Sequence, residues 1–212
     1  MTAMIYPTTN PSLAEQMVVA RAEGPYIYDK QGKRYLEGMA GLWCTALGYG
    51  NEEIIEAAER QMRELSFSHM FGGKTHASAI ELADKLAAMV PMQDGRVFLG
   101  NSGSDANDTL LKLIRYHAEA SGQPNRIKVI AREQGYHGVT LASAALTAIP
   151  TNHAHFQLPF EALGVLRTGS ANYYRGAHEG ESEAAFVARR AEELEALILA
   201  EGPDTIAAMI AE

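Results

Sequence analysis

A chain of 212 residues with 47% hydrophobic, 21% charged and 8% aromatic side chains has the make-up of a soluble globular protein of one to two domains, which excludes intrinsic disorder. With 18 Lys and Arg against 26 Asp and Glu, the net charge is −8 and no basic run interrupts it, so neither nucleic acid nor an anionic membrane is an expected partner. One cysteine, Cys44, excludes an internal disulfide framework and suits a reducing, cytoplasmic setting. Met1 to Pro11 has no basic start and no apolar core, so it does not read as a signal peptide. The least polar stretch, Val139 to Ile149, is too short and too rich in hydroxyls to span a bilayer.

The predicted elements begin with strands. Tyr26 to Asp29 and Arg34 to Glu37 flank Lys30-Gln31-Gly32-Lys33, and a glycine-bearing short loop between aromatic-rich runs signals a hairpin. From Asn51, a residue suited to capping, the apolar period becomes helical through Ile54, Ile55, Ala58, Met62 and Leu65. A loop from Phe67 to Thr75, with Gly72-Gly73, leads to a second helix over Ser78 to Val90, stopped by Pro91. Arg96 to Leu99 is a short buried-strand candidate, Gly100 to Ser104 a turn, and Asp105 to Ala120 a long helix. Arg126 to Ala131 is the next strand, followed after a loop by an apolar helix over Val139 to Ala148. Residues 151–180 read as loop-rich, Glu181 to Glu201 as a helix stopped by Gly202-Pro203, and Thr205 to Ala211 as a last, almost wholly apolar strand. Strands that alternate with helices and are apolar on both faces imply an α/β fold with a parallel sheet covered on both sides. Ligands of such sheets bind at the carboxyl ends of the strands.

Two loops fall at that edge. Gly100-Asn101-Ser102-Gly103-Ser104-Asp105 lies between a strand and a helix N-terminus, where free N–H groups and the helix dipole favour an anion such as phosphate. Ser102 and Ser104 can add hydroxyl donors, and Gly103 permits close approach. An ordinary capped turn would use the same residue types. Tyr136-His137-Gly138 follows the next strand, and its aromatic face could stack on a planar heterocycle or simply be a half-buried surface tyrosine. Together the loops suggest a phosphorylated aromatic cofactor. Trp43 lies among Gly38, Gly41 and Gly48, which make room either for a ligand or for the indole itself in a core. His153 and His155 alternate as on a strand, but no carboxylate or cysteine completes a ligand set, so no metal is expected.

Asn101-Ser-Gly-Ser-Asp-Ala-Asn107 followed by Tyr136-His-Gly138 resembles the class III aminotransferases. Gly24-Pro-Tyr-Ile-Tyr-Asp29 with Gly32, Gly41-Leu-Trp43, Leu47-Gly-Tyr-Gly50 and Met209-Ile-Ala-Glu212 match the same family, so the likeness covers nearly the whole chain. Asp105 stands where Glu is more common. The resemblance implies the aspartate-aminotransferase-like fold of pyridoxal-phosphate enzymes (fold type I), with residues 1–50 as the hairpin segment of a small domain and 51–212 as part of the large cofactor-binding domain. It implies that Ser102, Gly103 and Ser104 hold the phosphate of pyridoxal 5'-phosphate, and that Tyr136 stacks on its ring beside His137. By the same likeness Trp43 lines the substrate pocket, while Phe71 with Gly72 reaches the partner subunit's active site in a homodimer with shared sites. Members that use 2-oxoglutarate often read His-Gly-Arg-Thr where this chain reads His137-Gly138-Val139-Thr140. With Trp43, that resembles the omega-amino acid and amine:pyruvate transaminases, which move an amino group from a small-molecule amine to a keto acid, here pyruvate.

The family's chemistry also needs a Schiff-base lysine and an aspartate for the pyridine nitrogen, and both are expected beyond Glu212. None of Lys30, Lys33, Lys74, Lys85, Lys112 and Lys128 stands in that lysine's context. Family members are about twice this long, so the chain is expected to be an N-terminal portion that is inactive alone and belongs to an active parent. A non-catalytic cofactor-binding or dimer-forming fragment, or an aminomutase of the same fold, is the alternative.

Overall fold

The computed structural model describes residues 3–7, 9–10, 12 and 16–212; of the Met1–Pro11 segment, Met1, Thr2, Thr8 and Pro11 lie outside the described residues. The chain divides into two compact units, Met1–Leu82 and Ala83–Glu212. Among the described residues no helix is long and apolar enough to cross a membrane.

The first unit holds an antiparallel meander of β1 (Val19–Glu23), β2 (Tyr26–Asp29) and β3 (Arg34–Leu36). The expected hairpin is β2–β3. Asp29 closes it by accepting the Gln31 and Lys33 N–H groups, both at 2.9 Å, and the Tyr35 hydroxyl at 2.9 Å. β1 carries no turn signal before it and is absent from the sequence reading; it forms because β2 offers it a ladder. Residues Ala40–Trp43 then make one left-handed turn, α1, with positive φ at all four positions. The Glu37 carboxylate holds this turn, accepting the Met39 N–H at 3.1 Å and the Gly41 N–H. Helix α2 (Glu52–Glu64) starts as predicted, with the Asn51 side chain accepting the Ile54 N–H at 3.2 Å, and α3 (Ala77–Met89) ends short of Pro91.

The second unit contains α4 (Gly103–Ala120), β4 (Lys128–Arg132), α5 (Leu141–Leu146), α6 (Phe160–Leu163), β5 (Val165–Thr168), α7 (Tyr173–Gly176), α8 (Glu183–Glu201) and β6 (Ile206–Ile210). Its sheet is parallel, in the order β5-β4-β6. Alternation divides the strands between two faces. Val129, Val165 and Ile210 pack with Leu111 and Ile114 of α4 and with Ala142 and Leu146 of α5 on one face. On the other, Thr168 and Met209 line a cleft with Phe186, Arg190 and Leu194 of α8. Ser182 caps α8 through the Ala185 N–H at 3.2 Å, and Gly202, at φ +88°, ends it.

Three expectations change. Arg96 to Leu99 forms no strand: it pairs with none of the described residues, and Phe98 is 67% exposed. An apolar run specifies only a preference for extended backbone, and a ladder needs a partner at the right place. The stretch 151–180 is not all loop, since it contains α6, β5 and α7. β5 escapes notice because it is four residues long, sits between glycines and carries Arg167 on the buried side of the sheet. The apolar helix is only Leu141–Leu146, because Gly138, at φ +131°, is not helical and Thr147 leaves the helix at ψ +142°.

Leu146 is fully buried at the junction of α4, α5 and the sheet. Leu146→Ala should lower unfolding stability by about 2–5 kcal/mol through lost burial and a residual cavity, read as a fall in the urea midpoint. An unchanged midpoint would show that α5 is not part of the core.

Candidate active site

The two predicted loops meet. Ser102 begins α4 in extended conformation, and its Oγ accepts the Asp105 N–H at 3.1 Å. Asp105 in turn accepts the Asn101 N–H at 2.9 Å, so the turn before the helix is closed from both sides. The N–H groups of Gly103 and Ser104 have no hydrogen-bond partner among the described residues, as first-turn donors of a helix commonly do not. The space beside the Gly103 Cα is open to at least 4 Å. Ser104 Oγ accepts the Val139 N–H at 3.0 Å and keeps its own proton to donate, as does Ser102. The helix start therefore offers backbone N–H groups and two hydroxyls to an anion.

The second loop is pinned along α4. Asn107 Nδ2 donates to the His137 carbonyl at 2.7 Å. Asp108 accepts the Thr140 hydroxyl at 2.6 Å and the Ser143 N–H at 3.0 Å. Ser104, Asn107, Asp108 and Leu111 occupy one helical face, polar near the N-terminus and apolar where it enters the core. The sequence reading missed Asn107 and Asp108 as site supports, although their spacing from Ser104 is the helical one. At Gly138 the loop lies close against both α4 and α5. A Cβ there would lie 2.6 Å from Ser104 Oγ and nearer still to Ser143 Oγ, so only glycine fits.

His137 is buried, and its Nε2 has no hydrogen-bond partner among the described residues. Burial lowers its pKa below the ordinary 6.5; the Glu212 carboxylate opposes this shift and the Arg167 charge adds to it. Tyr136 keeps a half-exposed ring, and its backbone N–H donates to Glu212 Oε2 at 2.6 Å. Glu212 follows β6 and Tyr136 follows β4, so this bond ties two strand ends together. A cleft of about 270 Å³ opens at the same edge, lined by Arg132, Gln134, Gly135, Ser170, Asn172 and Glu212.

Ser102, Gly103, Ser104, Tyr136 and His137 all belong to the second unit, whereas Trp43, Phe71 and Gly72 belong to the first. Trp43 stands on the left-handed turn with its indole 77% exposed, and so is not a core residue there. Phe71 lies exposed in the loop between α2 and α3, beside Gly72 at φ +67°. His153 is a packing residue, with Nε2 2.6 Å from the Thr147 carbonyl and its ring edge-on to Phe160.

The family model for class III aminotransferases matches residues 8–212. The chain belongs to that family. The probable gamma-aminobutyrate transaminase 2, mitochondrial, of Oryza sativa subsp. indica is 46% identical over 199 residues, which are 93% of this chain and 40% of that protein. The gamma aminobutyrate transaminase 1, mitochondrial, of Solanum lycopersicum is 45% identical over 93% of this chain and 38% of its own length. The crystal structure of the omega transaminase from Pseudomonas jessenii in complex with PMP matches with a TM-score of 0.94 and 48% identity, over 99% of this chain and 46% of that one. The chain thus carries the fold-type-I α/β architecture of these transaminases and spans less than half their length.

Because folding keeps His137 from taking a proton that the unfolded histidine binds below pH 6.5, its contribution to stability is complete above that pH and declines as the pH falls through it. The slope of unfolding free energy against pH just below 6.5 should shrink in His137→Gln; an identical slope would show that His137 titrates normally. Gly138→Ala should destabilise by at least about 1–3 kcal/mol from its backbone conformation alone. A stable Gly138→Ala protein would mean that the two helices do not meet there.

Proposed function

We propose that the parent protein is a pyridoxal-phosphate-dependent transaminase that moves an amino group from an omega-amino acid or amine to a keto acid, pyruvate in our reading. The observation that carries this is the contact at Gly138, which joins the anion-binding start of α4 to the Tyr136-His137 loop at the carboxyl edge of a parallel sheet. The donors present suit the cofactor's phosphate: two unbonded N–H groups and two hydroxyl protons at Ser102, Gly103 and Ser104. His137 Nε2 is buried and has no hydrogen-bond partner among the described residues.

When bound, pyridoxal phosphate supplies the electron sink for the reaction. In this reading Ser102, Gly103 and Ser104 hold its phosphate and Tyr136 offers a flat aromatic face to its ring. Burial disfavours the charged form of His137. Glu212 orients the Tyr136 backbone. Trp43 lines the substrate pocket, with Phe71 and Gly72 serving the site of a second copy in a homodimer. Proton transfer needs a lysine, and Lys128, the one lysine in the parallel sheet, is already paired with Glu201 at 2.8 Å; the transferring lysine is expected from the rest of the parent protein. The names of the plant relatives favour 4-aminobutyrate among the donors. Those names place the relatives in mitochondria, whereas the acidic, cysteine-poor composition is our ground for a cytoplasmic location.

The test uses the full-length protein. It should show the visible absorbance of bound pyridoxal phosphate and form alanine from pyruvate in step with consumption of 4-aminobutyrate or another primary amine. Ser104→Ala should weaken cofactor binding roughly ten-fold, the worth of one charge-assisted hydrogen bond. Trp43→Ala should shift the ratio of kcat/KM between bulky and small amines. Turnover without a stoichiometric keto acid would indicate an aminomutase, and a full-length protein that takes up no cofactor would overturn the reading.

A further inference from the structure

Thr147 is heavily hydrogen-bonded and lies outside the loops that meet the cofactor in the reading above. It is fully buried. Its Oγ1 accepts the His137 N–H at 2.8 Å. Its single hydroxyl proton faces the carbonyls of Gly138 at 3.1 Å and Ser143 at 3.2 Å. One side chain thus grips the Tyr136-His137-Gly138 loop on both sides of the His137–Gly138 peptide.

Thr147 is itself held from behind. Its carbonyl accepts from Arg167 Nη2 at 2.7 Å and lies 2.6 Å from His153 Nε2. Arg167 also bonds the carbonyls of Leu146, at 2.6 Å, and Ala145. These are the last carbonyls of α5, which a helix leaves without internal partners and where a cation is favourable. Arg167 belongs to β5, so the sheet, the end of α5 and the loop form one chain of hydrogen bonds through Thr147.

The opposite side of the loop rests on α4, through Asn107 on the His137 carbonyl and Ser104 on the Val139 N–H. We propose that Thr147 is a positioning residue: its hydroxyl, anchored through Arg167 and His153, sets the placement of the Tyr136-His137-Gly138 loop against the anion-binding start of α4, and thereby the geometry in which the cofactor is held. The proposal rests on the transaminase reading. Valine has nearly the shape of threonine but cannot accept the His137 N–H, so Thr147→Val separates the hydroxyl from the packing.

The experiment uses the full-length protein, wild type, Thr147→Val and Thr147→Ser. It measures the dissociation constant for pyridoxal phosphate, the visible circular dichroism of the bound cofactor, and the thermal midpoint with and without cofactor. Thr147→Val should weaken cofactor binding about ten-fold, the size of one buried hydrogen bond. The dichroism of its bound cofactor should change, and the gain in midpoint on adding cofactor should shrink. Thr147→Ser, which keeps the hydroxyl, should restore all three. If Thr147→Val does not accumulate as folded protein, Thr147→Cys carries the same expectation, since sulfur is a weak acceptor. Equal losses of midpoint with and without cofactor, at unchanged dissociation constant and dichroism, would make Thr147 merely structural and overturn the proposal. A wild-type protein that binds no cofactor would remove the transaminase reading and this proposal together, a result distinct from failure of the variants alone.

Discussion

The second unit is organised around a close approach of backbone to helix at Gly138. No side chain can stand between that residue and the hydroxyls of Ser104 and Ser143. With a Cβ there, the side chains of Ser104 and Ser143 would have to shift, and with Ser104 the bond that holds the loop to α4. Because glycine is present, the segment lies flat on one helical face and its backbone groups are read by Ser104, Asn107 and Asp108. The same face continues into the core as Leu111. Polar register at the site and apolar register beneath it are thus two parts of one helix stripe, and a shift of either would displace the other.

The buried material around this contact includes polar groups. Leu111, Val129 and Leu146 form a buried apolar cluster, with Ile130, Ala131 and Ala145 also buried, and Ser143, Thr147 and His137 are buried in the same unit. A group buried without partners costs more than its hydrogen bond would contribute, so such a region holds together only if nearly every donor and acceptor is matched. Here Thr147, Ser143, Asp108 and Arg167 match one another across three elements. Nε2 of His137 has no such match among the described residues. A matched polar network fixes directions as well as distances, which suits a surface that must hold a ligand in one orientation.

The first unit solves a related problem by strain. Four successive left-handed residues, among them Leu42 and Trp43, are unfavourable for side chains with a Cβ. The Glu37 carboxylate supports them by accepting the Gly41 N–H within the turn and the Met39 N–H just before it. The outcome is a Trp43 that is exposed rather than buried.

Much of this was legible from residue order. The helix start at Asn51 follows from a side chain that can accept a first-turn N–H group, and the parallel sheet follows from strands apolar on both faces; the helices expected over Asp105 to Ala120 and Glu181 to Glu201 form as Gly103–Ala120 and Glu183–Glu201, capped by Ser102 and Ser182. The family was legible as well, because Ser102-Gly103-Ser104 and Tyr136-His137-Gly138 are local patterns readable from residue order. What sequence could not supply was pairing. Arg96 to Leu99 has the composition of a strand but no ladder among the described residues, whereas Val165 to Thr168, with an arginine in its middle, has one. Arg167 reads as a poor strand residue until the end of α5 is seen to need a cation. Residue order alone determined which segments prefer helix or strand and which loops could hold an anion. Tertiary structure decided which backbone groups were left without water and had to be met by Thr147, Asp108 and Arg167, since that demand exists only once the elements are packed.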